Sequence, residues 1–145
     1  MYRIIISAIF MALALTGTAQ DYIGLQAEEI KKRMQAGEKD FALDETTVNK
    51  VYKYLKYVDD LETRTILFFL SDDDVCTWYK IIYDNDLLTP VLQHLDSTCR
   101  KISDTVWVEE IDGRQYRKEL KREEWFFSVV TRPDTQEALK EKKED

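Results

Sequence analysis

Glycine, proline, cysteine and histidine are all scarce in this sequence. Its 145 residues include four Gly, two Pro, two Cys and one His. These numbers exclude collagen-like chains, low-complexity chains and small domains cross-linked by many disulfides. A structural zinc site is excluded too, because it needs four Cys or His ligands and the chain has three such residues. The few glycines also leave no glycine-rich phosphate loop and no nucleophile elbow.

Net positive charge is absent as well. Asp and Glu number 28 against 21 Lys and Arg, which gives a formal net charge of −7. An acidic chain has no electrostatic reason to bind nucleic acid or anionic lipid, so neither partner is expected. What is present is a hydrophobic content of 44%, enough for one compact domain with a core of its own.

The first 19 residues have the three parts of an export signal in the right order. Arg3 supplies positive charge, residues 4–15 form an apolar run, and residues 17–19 are small. The apolar run is shorter than the roughly 20 residues that cross a bilayer. We therefore expect cleavage after Ala19, a periplasmic or secreted product and no stable membrane insertion. The alternative is a buried N-terminal helix or strand.

Export would determine whether the two cysteines, Cys76 and Cys99, can be oxidised to a disulfide. In an oxidising compartment two cysteines allow a single disulfide. Such a bridge would contribute about 3 kcal/mol to stability in the chain-entropy account. Two separately buried free thiols are the alternative, and the sequence leaves both open.

Hydrophobic periodicity divides residues 20–132, the predicted domain, into two units. The first unit, about residues 22–83, begins with helical spacing of its apolar side chains and continues with β-branched and aromatic runs. These predict a helix within 22–37 and strands within 48–58, 65–70 and 75–83.

The second unit, about residues 84–132, has the same order. Asp86 can cap a helix, and Asp112-Gly113 is a strong signal for a hairpin turn. The predicted strands lie within 105–111, 114–120 and 125–131. The sequence thus predicts an α+β fold in which two helix-plus-three-strand units form an antiparallel sheet with both helices on one face. Residues 133–145 are mostly charged and are expected to form a flexible tail.

The residues that open the mature chain resemble a known kind of envelope module. The segment Tyr22-Ile23-Gly24-Leu25-Gln26-Ala27-Glu28-Glu29-Ile30 is similar to the start of the helix-and-meander modules of the outer-membrane assembly lipoprotein family. In pairs, such modules resemble the architecture of β-lactamase-inhibitor proteins. The Ala19-Gln20 junction and the hairpin between Phe68 and Trp78 also resemble small exported proteins of the Bacteroidota. The lipidated Cys of the assembly lipoproteins is missing. The resemblance implies a binding or scaffolding role in the cell envelope.

Aromatic residues are the most suggestive candidates for a binding surface. Many of them fall in predicted strands, and if the core takes one parity of each strand, several must remain on the helix-free face. An exposed aromatic face of an exported protein can bind protein or carbohydrate. We take Tyr52, Tyr54, Trp107 and Tyr116 as the candidate binding residues. The alternative is cross-strand aromatic pairing that only stabilises the sheet.

Two other chemistries are considered as alternatives. The acidic turn that contains Asp72 and Asp74 could supply oxygen ligands for Ca²⁺, although its spacing matches no EF-hand loop. His94 could serve as a base for Cys76 or Cys99 in a small thiol-dependent hydrolase or redox enzyme. Its position close to Cys99 in sequence is poor geometry for that role.

The sequence as a whole therefore predicts a periplasmic or secreted interaction module without catalytic activity. Its expected partner is another envelope or extracellular protein, and no cofactor is expected. The thiol enzyme and the calcium-dependent envelope module remain the alternatives.

Overall fold

The computed structural model describes residues 21–45 and 51–134. The predicted signal segment, residues 1–19, and the part of the predicted tail beyond residue 134 lie outside this range. Among the described residues, no helix combines the length and apolar character needed to cross a membrane.

In the part of the chain that the structure describes, a single antiparallel sheet of eight strands dominates, in the order β1-β2-β3-β4-β8-β7-β6-β5. Each of two eleven-residue helices precedes a meander of four strands, and the two meanders join where β4 pairs with β8. The elements in chain order are α1 (Ala27–Gly37), β1 (Phe41–Leu43), β2 (Tyr54–Asp59), β3 (Arg64–Leu70), β4 (Cys76–Asp84), a 3-10 turn (Asn85–Leu87), α2 (Leu88–Thr98), β5 (Arg100–Ser103), β6 (Val106–Ile111), β7 (Arg114–Arg122) and β8 (Phe126–Pro133).

The predicted architecture of two helix-plus-three-strand units with both helices on one face is wrong. The structure is mostly one eight-stranded sheet with two short helices, and each helix is followed by four strands. The two strands missing from the prediction, β1 and β5, form the edges of the sheet. They have three and four residues, which is too short for a two-residue alternation to be visible in the sequence. In β5 every residue is exposed, so it has no apolar face to recognise.

Several local predictions are confirmed. Helix α1 ends at Gly37, and β3 and β4 match the predicted runs within one residue at each end. The Asp112-Gly113 turn connects β6 to β7, and both of its residues have positive φ, 51° and 78°. This is the backbone conformation that two-residue hairpin turns of type I′ require.

The core consists of two clusters, one beneath each helix. Ile30 and Met34 of α1 pack on the first four strands, where Phe68 is fully buried. Leu95 of α2 packs on the second four strands together with the buried Trp107. The clusters are neighbours at the β4–β8 junction, where Tyr83 stacks on its register partner Phe127 with ring centroids 5.0 Å apart.

The segment before α1 forms hydrogen bonds with both halves of the sheet. The hydroxyl of Tyr116, on β7, donates a hydrogen bond to Oδ2 of Asp21 at 2.6 Å. Gln26 forms an isolated antiparallel bridge with Val75 just before β4. The segment before α1 is therefore part of the folded domain.

The turn between β2 and β3 depends on the buried carboxylate of Asp59. It accepts hydrogen bonds from the backbone amides of Thr63 and Arg64 at 2.8 and 3.0 Å, from the Thr63 hydroxyl at 2.8 Å, and from the Arg64 guanidinium at 3.1 Å. Burial alone would raise the pKa of Asp59, but these hydrogen bonds outweigh it and lower the pKa. The carboxylate therefore stabilises the folded state as an anion. In the same turn the Glu62 amide donates to the backbone carbonyl of Asp59 at 3.0 Å, and the φ of Glu62, 55°, is uncommon for a residue other than glycine.

We predict that Asp59→Asn lowers the free energy of unfolding by about 1–3 kcal/mol at pH 7, because charged hydrogen bonds are lost and buried donors lose their acceptor. Since the folded-state pKa is lowered, this stabilisation is present above the unfolded-state pKa and disappears as the pH falls through the folded-state pKa. The difference between variant and wild type should thus shrink below about pH 4. Urea denaturation at pH 7 and pH 3 measures it.

The neighbouring Asp60→Asn is the matched control, because Asp60 is exposed. It should change stability by less than about 0.5 kcal/mol. A pH-independent effect of Asp59→Asn would contradict the role of its charge.

Candidate functional site

The register of the sheet separates its strand residues onto two faces. The core face carries Phe68, Tyr79 and the other side chains that contact the helices. Phe69 and Trp78 pair directly with each other and point to the opposite face, which we call the outer face. Tyr54 pairs with Phe69 and joins them there.

Four aromatic side chains at one end of the outer face form what we call the aromatic patch: Tyr52, Tyr54, Phe69 and Trp78. The Phe69 and Trp78 rings are stacked, with centroids 3.8 Å apart and planes 7° from parallel. Tyr54 and Tyr52 lie 5.9 and 6.3 Å from the Phe69 ring. Phe69 is therefore the centre of the patch, and its neighbours hold one another in position.

The surroundings of the aromatic patch are polar and charged with both signs. The Arg132 guanidinium lies 5.9 Å from the Trp78 ring centroid, and Lys53 forms an ion pair with Asp74. A depression of about 370 Å³ adjoins the patch, with Val51 and Asp72 in its wall. An apolar centre with a mixed polar rim is the usual anatomy of a protein-binding surface.

The four predicted binding residues lie in two different places. Tyr52 is 60% exposed and Tyr54 half-buried, both within the aromatic patch. Trp107 is 0% exposed, and its indole N–H donates to Oδ1 of Asp96 at 2.9 Å. Tyr116 is buried too and holds Asp21. Trp107 and Tyr116 therefore stabilise the interior, because the side chains at these positions of β6 and β7 point toward the core.

The residues considered for metal binding are spread around the acidic turn. Asp74 is engaged with Lys53, has a φ of 64°, and accepts the Ala27 amide through its backbone carbonyl at 2.9 Å. Asp72 borders the small depression beside the aromatic patch. Within residues 21–45 and 51–134, no three His, Cys, Asp or Glu residues are grouped in a way that could hold a metal ion.

The two cysteines are free thiols that belong to different core clusters. Cys76 is buried under α1, and burial raises the pKa of its thiol to about 12. Cys99 packs at the margin of the α2 cluster, where burial likewise raises its pKa. A thiol with a raised pKa is protonated at neutral pH and is a weak nucleophile.

A larger cleft of about 810 Å³ opens on the core face beside α2. His94 and Cys99 both line it, whereas Cys76 does not. The hydroxyl next to the Cys99 sulfur, 3.5 Å away, belongs to Thr98, which donates to the backbone carbonyl of His94. The structure thus brings one of the two predicted thiols and the histidine to a common cleft.

Phe69 and Trp78 are the members of the aromatic patch that the sequence analysis did not select. The run at 65–70 is apolar on both parities, which predicted a strand covered on both faces. Phe69 could have been found from the position of its strand, which lies between two other strands that carry aromatic residues. That signal depends on register, which a single sequence does not show.

We predict that Trp107→Phe and Tyr116→Phe act on stability. Trp107→Phe removes buried volume and the bond to Asp96, and should lower the free energy of unfolding by about 2 kcal/mol. Tyr116→Phe removes one hydrogen bond and should cost about 1 kcal/mol. Urea denaturation measures both, with Tyr52→Phe as the exposed control at less than about 0.5 kcal/mol. A neutral Trp107→Phe would contradict the interior role.

No protein-family model, no curated protein sequence and no solved structure matches this chain at a significant level.

Proposed function

We propose that this chain is an exported, non-catalytic binding module that holds another envelope or extracellular protein on its aromatic patch. The observation that carries the proposal is the aromatic patch on the outer face, in which Tyr52 is 60% exposed and packs with the half-buried Tyr54, Phe69 and Trp78. Tyr and Trp are the residues most often found to dominate the binding energy of protein interfaces.

The packing of the rings within the patch supports this function. Stacking of Phe69 on Trp78 restricts both rings before any partner arrives, so little side-chain entropy is lost on binding. Lys53, Asp74 and Arg132 surround the rings with both charges, which suits a folded protein surface better than a membrane. The resemblance of the mature N-terminus to envelope modules implies the same kind of role.

The thiol chemistry considered as an alternative is less well supported. Cys99 shares a cleft with His94, but burial raises its pKa, which works against a reactive thiolate. Cys76 is enclosed in the other cluster, where its Sγ lies 3.5 Å from the Trp78 carbonyl oxygen. Both placements are those of structural thiols.

We predict that Tyr52→Ser lowers affinity for the partner by about ten-fold or more, because it removes the most exposed aromatic side chain of the patch. Affinity capture with the mature domain under crosslinking identifies the partner, and titration of that purified protein against both domains gives the ratio. Stability should remain within about 0.5 kcal/mol of wild type, since Tyr52 is exposed.

Trp125→Ser is the matched control. Trp125 is 78% exposed and lies before β8, at the end of the sheet opposite the aromatic patch. It should leave affinity unchanged. If Trp125→Ser abolishes capture and Tyr52→Ser does not, or if only an oligosaccharide binds, the proposed surface and partner class are refuted.

We also predict that the exported protein begins at Gln20. Asp21 accepts a hydrogen bond from Tyr116, so cleavage after Ala19 would keep this contact in the mature protein. Cell fractionation followed by N-terminal sequencing tests this. An intact Met1 on a cytoplasmic protein would contradict the export that the proposed partner class requires.

A further inference from the structure

The cleft on the core face contains a polar centre that the proposed function does not use. Its volume, about 810 Å³, lies in the range of about 300–1,000 Å³ typical of small-molecule sites. It lies over β4, β8 and β7, where the two halves of the sheet meet. Residues from both core clusters line it, among them Tyr79 of the first and Val129 of the second.

The polar centre is organised around Lys118, whose side chain is only 13% exposed. Its ammonium donates to the Thr131 hydroxyl at 3.2 Å and the Tyr79 hydroxyl at 3.4 Å, and pairs with Oε2 of Glu109 at 3.2 Å. Burial alone would lower the pKa of Lys118, but Tyr79 and Glu109 outweigh it and raise the pKa. The three hydrogens of the charged ammonium are therefore matched by three acceptors.

This arrangement leaves hydrogen-bond donors in the lining of the cleft. The hydroxyls of Tyr79 and Thr131 act as acceptors toward Lys118, so each keeps its own hydrogen for another acceptor. Tyr83 lines the same cleft, and burial raises its pKa to about 12, so its side chain is a neutral hydroxyl donor at pH 7.

The charges around the cleft select against an anionic ligand. Lys118 is neutralised by Glu109, and Arg64 is neutralised by Asp59 at 3.1 Å. Glu38 also lines the cleft, so the charged residues of its lining have a net charge of −1. One part of the wall is apolar and includes Val91 and Leu95 of α2 together with Ile81 and Val129 of the sheet.

We propose that the cleft binds an uncharged amphipathic small molecule, whose carbonyl or other neutral acceptor oxygen receives hydrogen bonds from Tyr79 and Thr131 while its apolar body lies along Val91, Ile81 and Val129. Neutral donors, paired charges and an apolar wall each favour such a ligand over a carboxylate or phosphate.

A matched pair of fluorescent probes tests the proposal. Prodan is an uncharged naphthalene with a ketone acceptor, and 6-(dimethylamino)-2-naphthoate carries a carboxylate on the same ring system. Titrated against the full mature domain, prodan should bind saturably at one site with blue-shifted emission, and the naphthoate at least about ten-fold more weakly. Equal or tighter binding of the naphthoate, or no saturable binding of prodan, overturns the proposal.

Variants of α2 locate the probe. Val91→Trp fills the cleft and should weaken prodan by about ten-fold or more, whereas Gln93→Trp, at an exposed position of the same helix, should not. Thr131→Val keeps the shape of the side chain and removes one donor. It should weaken binding and shift the emission of bound prodan further to the blue, because the ketone loses a hydrogen bond.

Circular dichroism confirms that each variant is folded. If Thr131→Val does not fold, the comparison of Val91→Trp with Gln93→Trp decides alone. Undiminished binding to a folded Val91→Trp domain overturns the assignment of the cleft.

Discussion

The pairing of β4 with β8 is the interaction on which the whole molecule depends. Six consecutive residue pairs along these strands, from Tyr79 with Thr131 to Asp84 with Phe126, turn two four-stranded meanders into one sheet. Without them each meander would end in a long unpaired edge, and each helix would cover only a small separate core. Ile81 of the first cluster pairs with Val129 of the second within this seam, next to the stacked Tyr83 and Phe127 rings. The contact joins strands that are far apart in the sequence, because β8 is the last strand of the described residues. Loop-closure entropy makes its formation a slow step of folding.

The two faces of the sheet divide the possible binding between them. The outer face carries the aromatic patch, where rings from three adjacent strands support one another at the surface. The core face is covered by short helices that leave a cleft above the central seam, and that cleft is lined by hydroxyls around the pair of Lys118 and Glu109. Both features depend on β4: its odd-numbered Tyr79 faces the cleft, and Trp78 beside it faces the patch. A macromolecule on one side and a small molecule on the other would therefore contact neighbouring residues of the same strand.

The sequence predicted the elements that have a strong period or a distinctive turn. The apolar spacing of Ile30 and Met34 indicated α1, and Asp112-Gly113 indicated the β6–β7 turn. The edge strands could not be predicted, because three or four residues, all exposed in β5, show no alternation. For the candidate site the sequence indicated that aromatic residues must remain on an outer face, and it selected Tyr52 and Tyr54 within the patch. It could not assign Trp107 and Tyr116 to the interior, because which parity of a strand faces the core depends on register. Lys118 lay in an ordinary charged strand until the fold placed Glu109, Tyr79 and Thr131 around it.

The edges of the sheet determine from which direction another molecule can reach it. At one border β1 offers only three residues, and at the other β5 is basic, with Arg100 and Lys101, and is interrupted by a bulge. Short, charged and irregular borders resist the addition of a further strand from a neighbouring chain. Lateral growth of the sheet into fibres or strand-swapped assemblies is therefore disfavoured, and recognition is directed toward side chains above and below the sheet plane.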